Sequence, residues 1–232
     1  MQTTVFCIAG LLIGGIPFGY LVGRVVLKDD IRRHGSGNIG ATNVGRVLGW
    51  KWGSLVLVLD ALKGLIPTLT ARFMGDDLAF SGVIDDLQQS ASSHRLINLA
   101  LATGVCAIIG HMYPVYLKLR GGKGVATALG VVLVVAPWAS LAGLCAFAIV
   151  VGMSRIVALA SICAAAAFAI AQLWMIGSSA FRPDALPLTL FSIGVPGLII
   201  WRHRSNILRL LRGDEKAFKA GGTPGQAETS PE

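Results

Sequence analysis

Apolar residues fall in long blocks separated by short polar ones. Residues 3–23 are apolar with small interruptions, and Arg24 and Lys28 follow. Further blocks run over 53–73, 96–117, 156–176 and 186–201. Their lengths suit helices that cross a hydrocarbon core of about 30 Å. Asp60 and Lys63 interrupt the second block. They stand three residues apart, so one helix face carries both charges and each has a partner at hand. Ionisable groups inside a span are also functional candidates by default.

The stretch 124–151 has 28 residues and no charge. It reads as one tilted helix or as two short helices turning at Pro137-Trp138. The distribution of basic residues decides, because cytoplasmic loops collect Lys and Arg. With the turn, the chain makes seven spans and 16 of its 20 Lys and Arg lie on the cytoplasmic side. Arg72, Arg95 and Arg182 are then outside. A single helix would put Arg155 and the basic tail opposite the first two basic loops. The expected fold is therefore an all-α integral membrane protein of seven transmembrane helices. Its N-terminus is outside, its C-terminus cytoplasmic, and one domain covers 1–219. The helix at 124–136 would measure about 20 Å, too short to span alone. The segment before it, 111–124, is thus expected at membrane depth, beside protein or a water-filled cavity. The Asp-rich stretch 75–94 reads as a solvated outer loop, and 220–232 as a disordered cytoplasmic tail.

Composition agrees. The 232 residues are 54% hydrophobic and 14% charged, with a mean hydropathy of +0.69. A soluble domain carries about 25% charged residues. A soluble enzyme, a disordered chain and a disulfide-stapled secreted domain are all excluded. The net charge of +8 would suggest nucleic acid in a soluble protein. Here it reads as orientation plus anionic ligands, and no nucleic-acid partner is expected. Cys7, Cys106, Cys145 and Cys163 lie in apolar runs without a C-x-x-C pair, which gives neither a disulfide framework nor a metal site.

Four segments carry candidate chemistry. Residues 34–49 read HGSGNIGATNVGRVLG. Glycines let backbone N–H groups approach an anion, Ser36, Asn38, Thr42 and Asn43 add neutral donors, and Arg46 adds a charged fork. That set suits a phosphate; the plainer reading is a turn between spans. Residues 110–127 read GHMYPVYLKLRGGKGVAT. Gly121-Gly122-Lys123-Gly124 opens the short helix, and a glycine turn into a helix N-terminus is an anion site. It is not a Walker A loop, which needs Gly where Leu117 stands and Ser or Thr where Gly124 stands. Ser154 and Arg155 form the third segment, otherwise readable as a capped loop. In the fourth, WRHRSNILRLLRGDEKAF at 201–218, His203, Asn206 and Arg209 fall on one helical face. A basic amphipathic helix lying on anionic lipid would also account for it. All four segments fall on the expected cytoplasmic side. Together they imply a pocket for one or two phosphate-bearing ligands.

S-G-N-I-G-A-T-N-V-x-R (Ser36 to Arg46), G-H-x-x-P (Gly110 to Pro114) with G-G-K-G-V-A-T (Gly121 to Thr127), S-R (Ser154-Arg155) and H-R-x-N-I-x-R-L-x-x-G-x-E (His203 to Glu215) resemble the PlsY-type bacterial acyl-phosphate:glycerol-3-phosphate acyltransferases. The resemblance covers residues 1 to about 216 in order. It implies seven helices with a cytoplasm-facing site in the bacterial plasma (inner) membrane. It implies transfer of an acyl chain from acyl phosphate to the 1-hydroxyl of glycerol 3-phosphate, giving lysophosphatidic acid and phosphate. Neither metal nor cofactor is implied, and no obligate protein partner beyond membrane lipids. With the residue chemistry, it assigns Ser36, Arg46, His203 and Asn206 to catalysis. It assigns Gly37, Asn38, Thr42, Asn43, His111, Gly121, Gly122, Lys123, Gly124, Ser154, Arg155 and Glu215 to substrate binding, with Glu215 supporting a basic neighbour. The proton acceptor stays open between His203, His111 and a substrate phosphate oxygen. Arg120 stands where this family more often has Lys, and Ala158 where Ser is common. The H-x4-D motif of the commoner glycerolipid acyltransferases is absent, since Ile39, Leu99, Tyr116 and Leu208 stand five after the four histidines. A transporter of an anionic metabolite and a non-catalytic lipid-binding protein are the competing readings; the former should open to both faces.

Overall fold

The computed structural model describes residues 1–74 and 86–218, and among these the secondary structure is entirely helical. The first apolar block is not one straight helix. Pro17 has no N–H and disrupts the turn before it. The chain leaves α1 (Gln2–Gly15) at Ile16 and restarts as α2 (Phe18–Val22), which continues as a π-helical turn over Gly23–Leu27. The Ile16 carbonyl accepts a hydrogen bond from Lys63 Nζ at 2.7 Å. Lys63 lies 2.8 Å from Asp60, as the i, i+3 spacing requires, and Asp60 lies 3.7 Å from His111 Nδ1. All three side chains are buried.

After the loop come α3 (Ala41–Leu48), α4 (Trp50–Met74) and α5 (Asp86–Met112). Of the stretch expected as an outer loop, 75–85 lies outside the described residues. The remainder, from Asp86, is the first part of α5, a helix where a loop was expected. The tail from 219 also lies outside the described residues. The uncharged stretch forms two helices, α6 (Val125–Val135) and α7 (Pro137–Ser154). Ala136 breaks them at φ −151° and ψ 63°, and Pro137 opens α7, where its missing N–H costs no helical bond. α8 (Val157–Ile176) and α9 (Leu186–Arg202) follow, and α10 (Arg204–Leu211) leaves α9 at 58°. His203 therefore sits at a bend and not within the continuous helix expected.

Among the described residues, five helices are long and apolar enough to cross a membrane, or six if α9 and α10 form one bent span. α6 has 11 residues, about 16 Å. It is sheltered by α4 and α5. A Cβ at Gly64 would run into the Thr127 carbonyl, and one at Gly130 into that of Ala61. Glycine thus lets α4 and α6 pack backbone to backbone, as helices do where lipid offers no hydrophobic drive to associate.

The helices form two groups. α1, α4, α5 and α6 pack on one another, and α7, α8 and α9 make the second group, with fewer contacts between groups. The functional cavity lies where α6 of the first group faces α8 and α9 of the second.

Candidate active site

A cavity of about 330 Å³ begins among the loops and runs between the two groups. Its polar end carries Ser36, Arg46, Lys123, His203, Asn206 and Glu215, and its inner arm is walled by Leu129, Val132, Ala165, Phe168, Val195 and Ile199. The α6 residues Val125, Leu129 and Val132 line it at helical spacing, so the arm follows one face of that helix. The residues at the inner end are buried, whereas Leu57 and Leu144 along the side are exposed at 47% and 38%. The arm thus runs inward among buried side chains and passes the part-exposed Leu57 of α4 and Leu144 of α7 at its side.

The loop before α3 is built around Asn43, which is 1% exposed. Its Nδ2 donates to the carbonyls of Asn38, His34 and Ile31 at 2.8, 3.1 and 3.3 Å. Its Oδ1 accepts from Ser36 N–H at 2.7 Å. Those bonds engage both ends of the amide. Asn43 therefore organises the loop, although sequence alone suggested a substrate contact. Asn38 Oδ1 accepts from Gly40 N–H at 2.7 Å and fixes the turn into α3. Ser36, Asn38, Thr42 and Asn43 all line the cavity. Gly37 does not; at φ 72° it turns the chain away and lines a neighbouring cavity.

Arg46 projects from α3. Its Nη2 donates to the Lys216 carbonyl at 2.9 Å, and its buried Nε has no partner. A buried donor without an acceptor is costly unless a ligand satisfies it. Burial lowers the Arg46 pKa from its ordinary value.

Lys123 donates to Asn206 Oδ1. Asn206 Nδ2 donates to Glu215 Oε1 at 2.8 Å, and Arg209 Nε donates to Glu215 Oε2 at 2.7 Å. The carboxylate side chain is only 3% exposed. Its charged partner is Arg209. Burial pushes the Lys123 ammonium down to about 8, against the pull of Glu215. His203 is buried, with Nδ1 2.8 Å from the Ile199 carbonyl. A carbonyl only accepts, so Nδ1 carries the proton and in the neutral ring Nε2 is left as an acceptor.

Gly121 and Gly122 correct the expectation that their N–H groups face an anion. They donate instead to the carbonyls of Met112 and His111, at 3.2 and 3.1 Å, and clasp the returning loop to the end of α5. A Cβ on Gly122 would strike His111 Nε2, so the imidazole packs directly against this glycine. The carbonyls of both glycines accept from Arg202 Nη2, at 3.3 and 2.8 Å. Gly124, at φ 83°, starts α6, and the first turn of that helix faces the cavity beside Lys123. Its free N–H groups are the anion donors that remain. His111 reaches the cavity wall together with Asp60.

Ser154 and Arg155 do not line the cavity. Ser154 Oγ donates to the Val150 carbonyl at 2.7 Å and accepts from Ile156 N–H at 3.1 Å, closing the end of α7. Arg155 takes φ 56° there, and its carbonyl accepts from Phe218 N–H at 2.7 Å. The Phe218 ring rests beside Gly45. Glu215, Lys216 and Phe218 therefore form a strap fastened to α10, α3 and α7 in turn. Sequence reasoning named Glu215 and raised Asp60 with Lys63 as a candidate pair; it missed the fastenings at Lys216 and Phe218, the place of Asp60 in the cavity wall and the apolar arm.

Comparison with known proteins gives a consistent picture. The family described as "Glycerol-3-phosphate acyltransferase" matches residues 4–213. The glycerol-3-phosphate acyltransferase of Anaeromyxobacter sp. (strain K) is 43% identical, over 90% of this chain and 93% of its own. That of Myxococcus xanthus (strain DK1622) is 42% identical, over 94% of this chain and 100% of its own. The crystal structure of PlsY (YgiH), an integral membrane glycerol 3-phosphate acyltransferase, in its glycerol 3-phosphate form, superposes with a TM-score of 0.77 at 37% identity. It covers 94% of this chain and 96% of that one. The lysophosphatidic acid form gives a TM-score of 0.74 at 36% identity, covering 95% and 97%. With its apolar helices and amphiphilic cavity, the chain belongs to the glycerol-3-phosphate acyltransferase family and is a membrane acyltransferase.

Proposed function

We propose that the protein transfers a fatty acyl group from acyl phosphate to the 1-hydroxyl of sn-glycerol 3-phosphate, releasing 1-acylglycerol 3-phosphate and phosphate. The reaction site faces the cytoplasm in a bacterial inner membrane. The fold, one domain over 1–219, then has seven spans with the N-terminus outside, α6 being the short one. One observation carries the reading: a single cavity joins a cationic polar end to an apolar arm that passes the part-exposed Leu57 and Leu144. A donor with a phosphate head and a fatty tail fits that shape, its tail entering from lipid.

The acceptor hydroxyl oxygen attacks the carbonyl carbon of the acyl phosphate. A carbon–oxygen bond forms, and the bond from that carbon to the phosphate oxygen breaks. The electron pair leaves with phosphate, and the hydroxyl proton goes to a phosphate oxygen. Ser36, Asn38 and Arg46 hold the donor phosphate and stabilise charge as it develops. Lys123 and the first turn of α6 hold the glycerol phosphate. His203 Nε2 and Asn206 orient the nucleophile, so alignment lowers the barrier to transfer from a donor that is already activated. No metal or nucleotide enters these steps.

The test is the full chain in lipid with acyl phosphate, with and without glycerol 3-phosphate, and no metal or nucleotide. Phosphate release and lysophosphatidic acid, read by mass spectrometry, should appear together and require the acceptor. No product from folded protein refutes the proposal; uptake of glycerol phosphate into vesicles would then be measured.

A further inference from the structure

Behind the glycine clasp lies a second cavity of about 540 Å³. Arg32, Arg33, Arg120 and Arg202 line it against one carboxylate, Asp30. That carboxylate is already engaged. Arg32 Nη2 reaches Asp30 Oδ2 at 2.6 Å, and its Nε contacts both oxygens at 3.0 Å. Arg33 has a loose ion pair with Asp29 at 3.6 Å and is 76% exposed. Positive charge in this cavity is therefore in excess.

Arg202 supplies the second observation. Its Nη2 is engaged by the Gly121 and Gly122 carbonyls, and its guanidinium stacks 5.2 Å over Tyr113. Its Nε is buried and has no partner. Of the two cavities, Arg202 lines this one alone. A buried guanidinium N–H beside uncompensated charge calls for an anionic acceptor.

The setting supplies a third. Leu119 lines the cavity yet is 58% exposed, held at φ 62° directly after Lys118 at φ 53°. A branched apolar side chain rarely takes that backbone conformation, and here it leaves Leu119 projecting. Val115 and Tyr116, four and three residues before Leu119, are exposed, and so is Trp201 beside Arg202. Aromatic and apolar side chains beside arginines mark a lipid–water boundary.

We infer that this cavity is a second anion-binding site, distinct from the reaction site, that takes a phosphate group. The group comes either from the headgroup of an anionic phospholipid or from free phosphate in the water. Gly37 and Gly121 line it and belong to the two loops that carry Ser36 and Lys123. The two cavities therefore share both loops, with Ile39 lining the second between Asn38 and Gly40 of the first.

The test uses the full chain in phosphatidylcholine vesicles, comparing wild type with Arg33→Gln, Arg120→Gln and the double variant. Neither residue belongs to the reaction site, so turnover in neutral vesicles should match wild type and report intact folding. In one arm inorganic phosphate is titrated by calorimetry, where wild type should show two binding events and the double variant one. In the other arm phosphatidylglycerol is added, and lipid retained by the protein is counted by native mass spectrometry. Each arginine removed should weaken binding about fivefold. A change confined to phosphatidylglycerol assigns the site to a headgroup; one confined to phosphate assigns it to the free anion. Unchanged binding in both arms overturns the inference. Binding is read without turnover, so the result stands whichever acyl donor the reaction uses.

Discussion

Glu215→Gln should move the pH profile of the enzyme as well as its rate. The substitution keeps the shape of the side chain and its bond from Asn206 but removes the charge that faces Arg209 and, through Asn206, Lys123. Two hydrogen bonds and the amide between them put the carboxylate and the ammonium about 7 Å apart. At an effective dielectric of about 20 their attraction is roughly 2 kcal/mol, which corresponds to between about one and two pH units. Lys123 titrates at about 8 with the carboxylate present. The carboxylate favours the charged ammonium, so its loss lowers that value. In the proposed function a protonated Lys123 holds the glycerol phosphate, so activity should fall as pH rises through its pKa. The alkaline limb of kcat/KM for glycerol 3-phosphate should therefore shift down by about one to two units in the variant. Below the shifted limb, the loss of one charge-assisted hydrogen bond, about 1.5–3 kcal/mol, should lower the rate by roughly 10- to 150-fold. Phosphate release with acyl phosphate and acceptor, followed across the pH range in lipid, gives both numbers. A limb that stays in place while the rate falls would refute the electrostatic role assigned to Glu215.

Arg46→Ala should reduce turnover by about 10²–10³-fold with little change in Tm in lipid, and Arg46→Lys should restore only part, because an ammonium lacks the planar fork. Asp60→Asn strands the Lys63 charge in the helix bundle and should cost about 3–5 kcal/mol, read as a lower Tm; the double change Asp60→Asn with Lys63→Met should recover most of that loss. Val132→Phe fills the tip of the apolar arm, so kcat/KM should fall for long acyl chains and hold for short ones in a chain-length series. Equal losses for all lengths would separate the arm from the acyl tail.

Much of this fold is legible because lipid imposes a simple rule on sequence: charge is kept out of long blocks. The break at Pro137 follows from the same rule, since an uncharged stretch of 28 residues with basic residues at both ends needs a turn. Other features depend on contacts between distant residues, which spacing cannot reveal. Asp60 and Lys63 pair locally and are readable, whereas His111, which completes their cluster, comes from another helix. Asn43 has the chemistry of a phosphate ligand; only its surroundings show that it holds the loop together. The glycines at 121 and 122 signal a close approach, but whether to a ligand or to the end of α5 is a matter of direction. The apolar arm has no signature at all, because Val132, Ala165 and Phe168 are what any buried helix face would carry. The second cavity was hidden for the opposite reason: its arginines were absorbed into the count that oriented the chain.

The fastening of the strap has a consequence for biosynthesis. Every helix through α10 is complete at Leu211, yet the carboxylate that braces Asn206 comes at Glu215 and the backbone that braces Arg46 at Lys216. A message with a stop codon between these points would yield a chain that inserts and packs its helices but lacks a finished reaction centre. The codons for 215–218 thus act as a completeness check on translation: a ribosome that stops just short of them leaves a helix bundle without the strap.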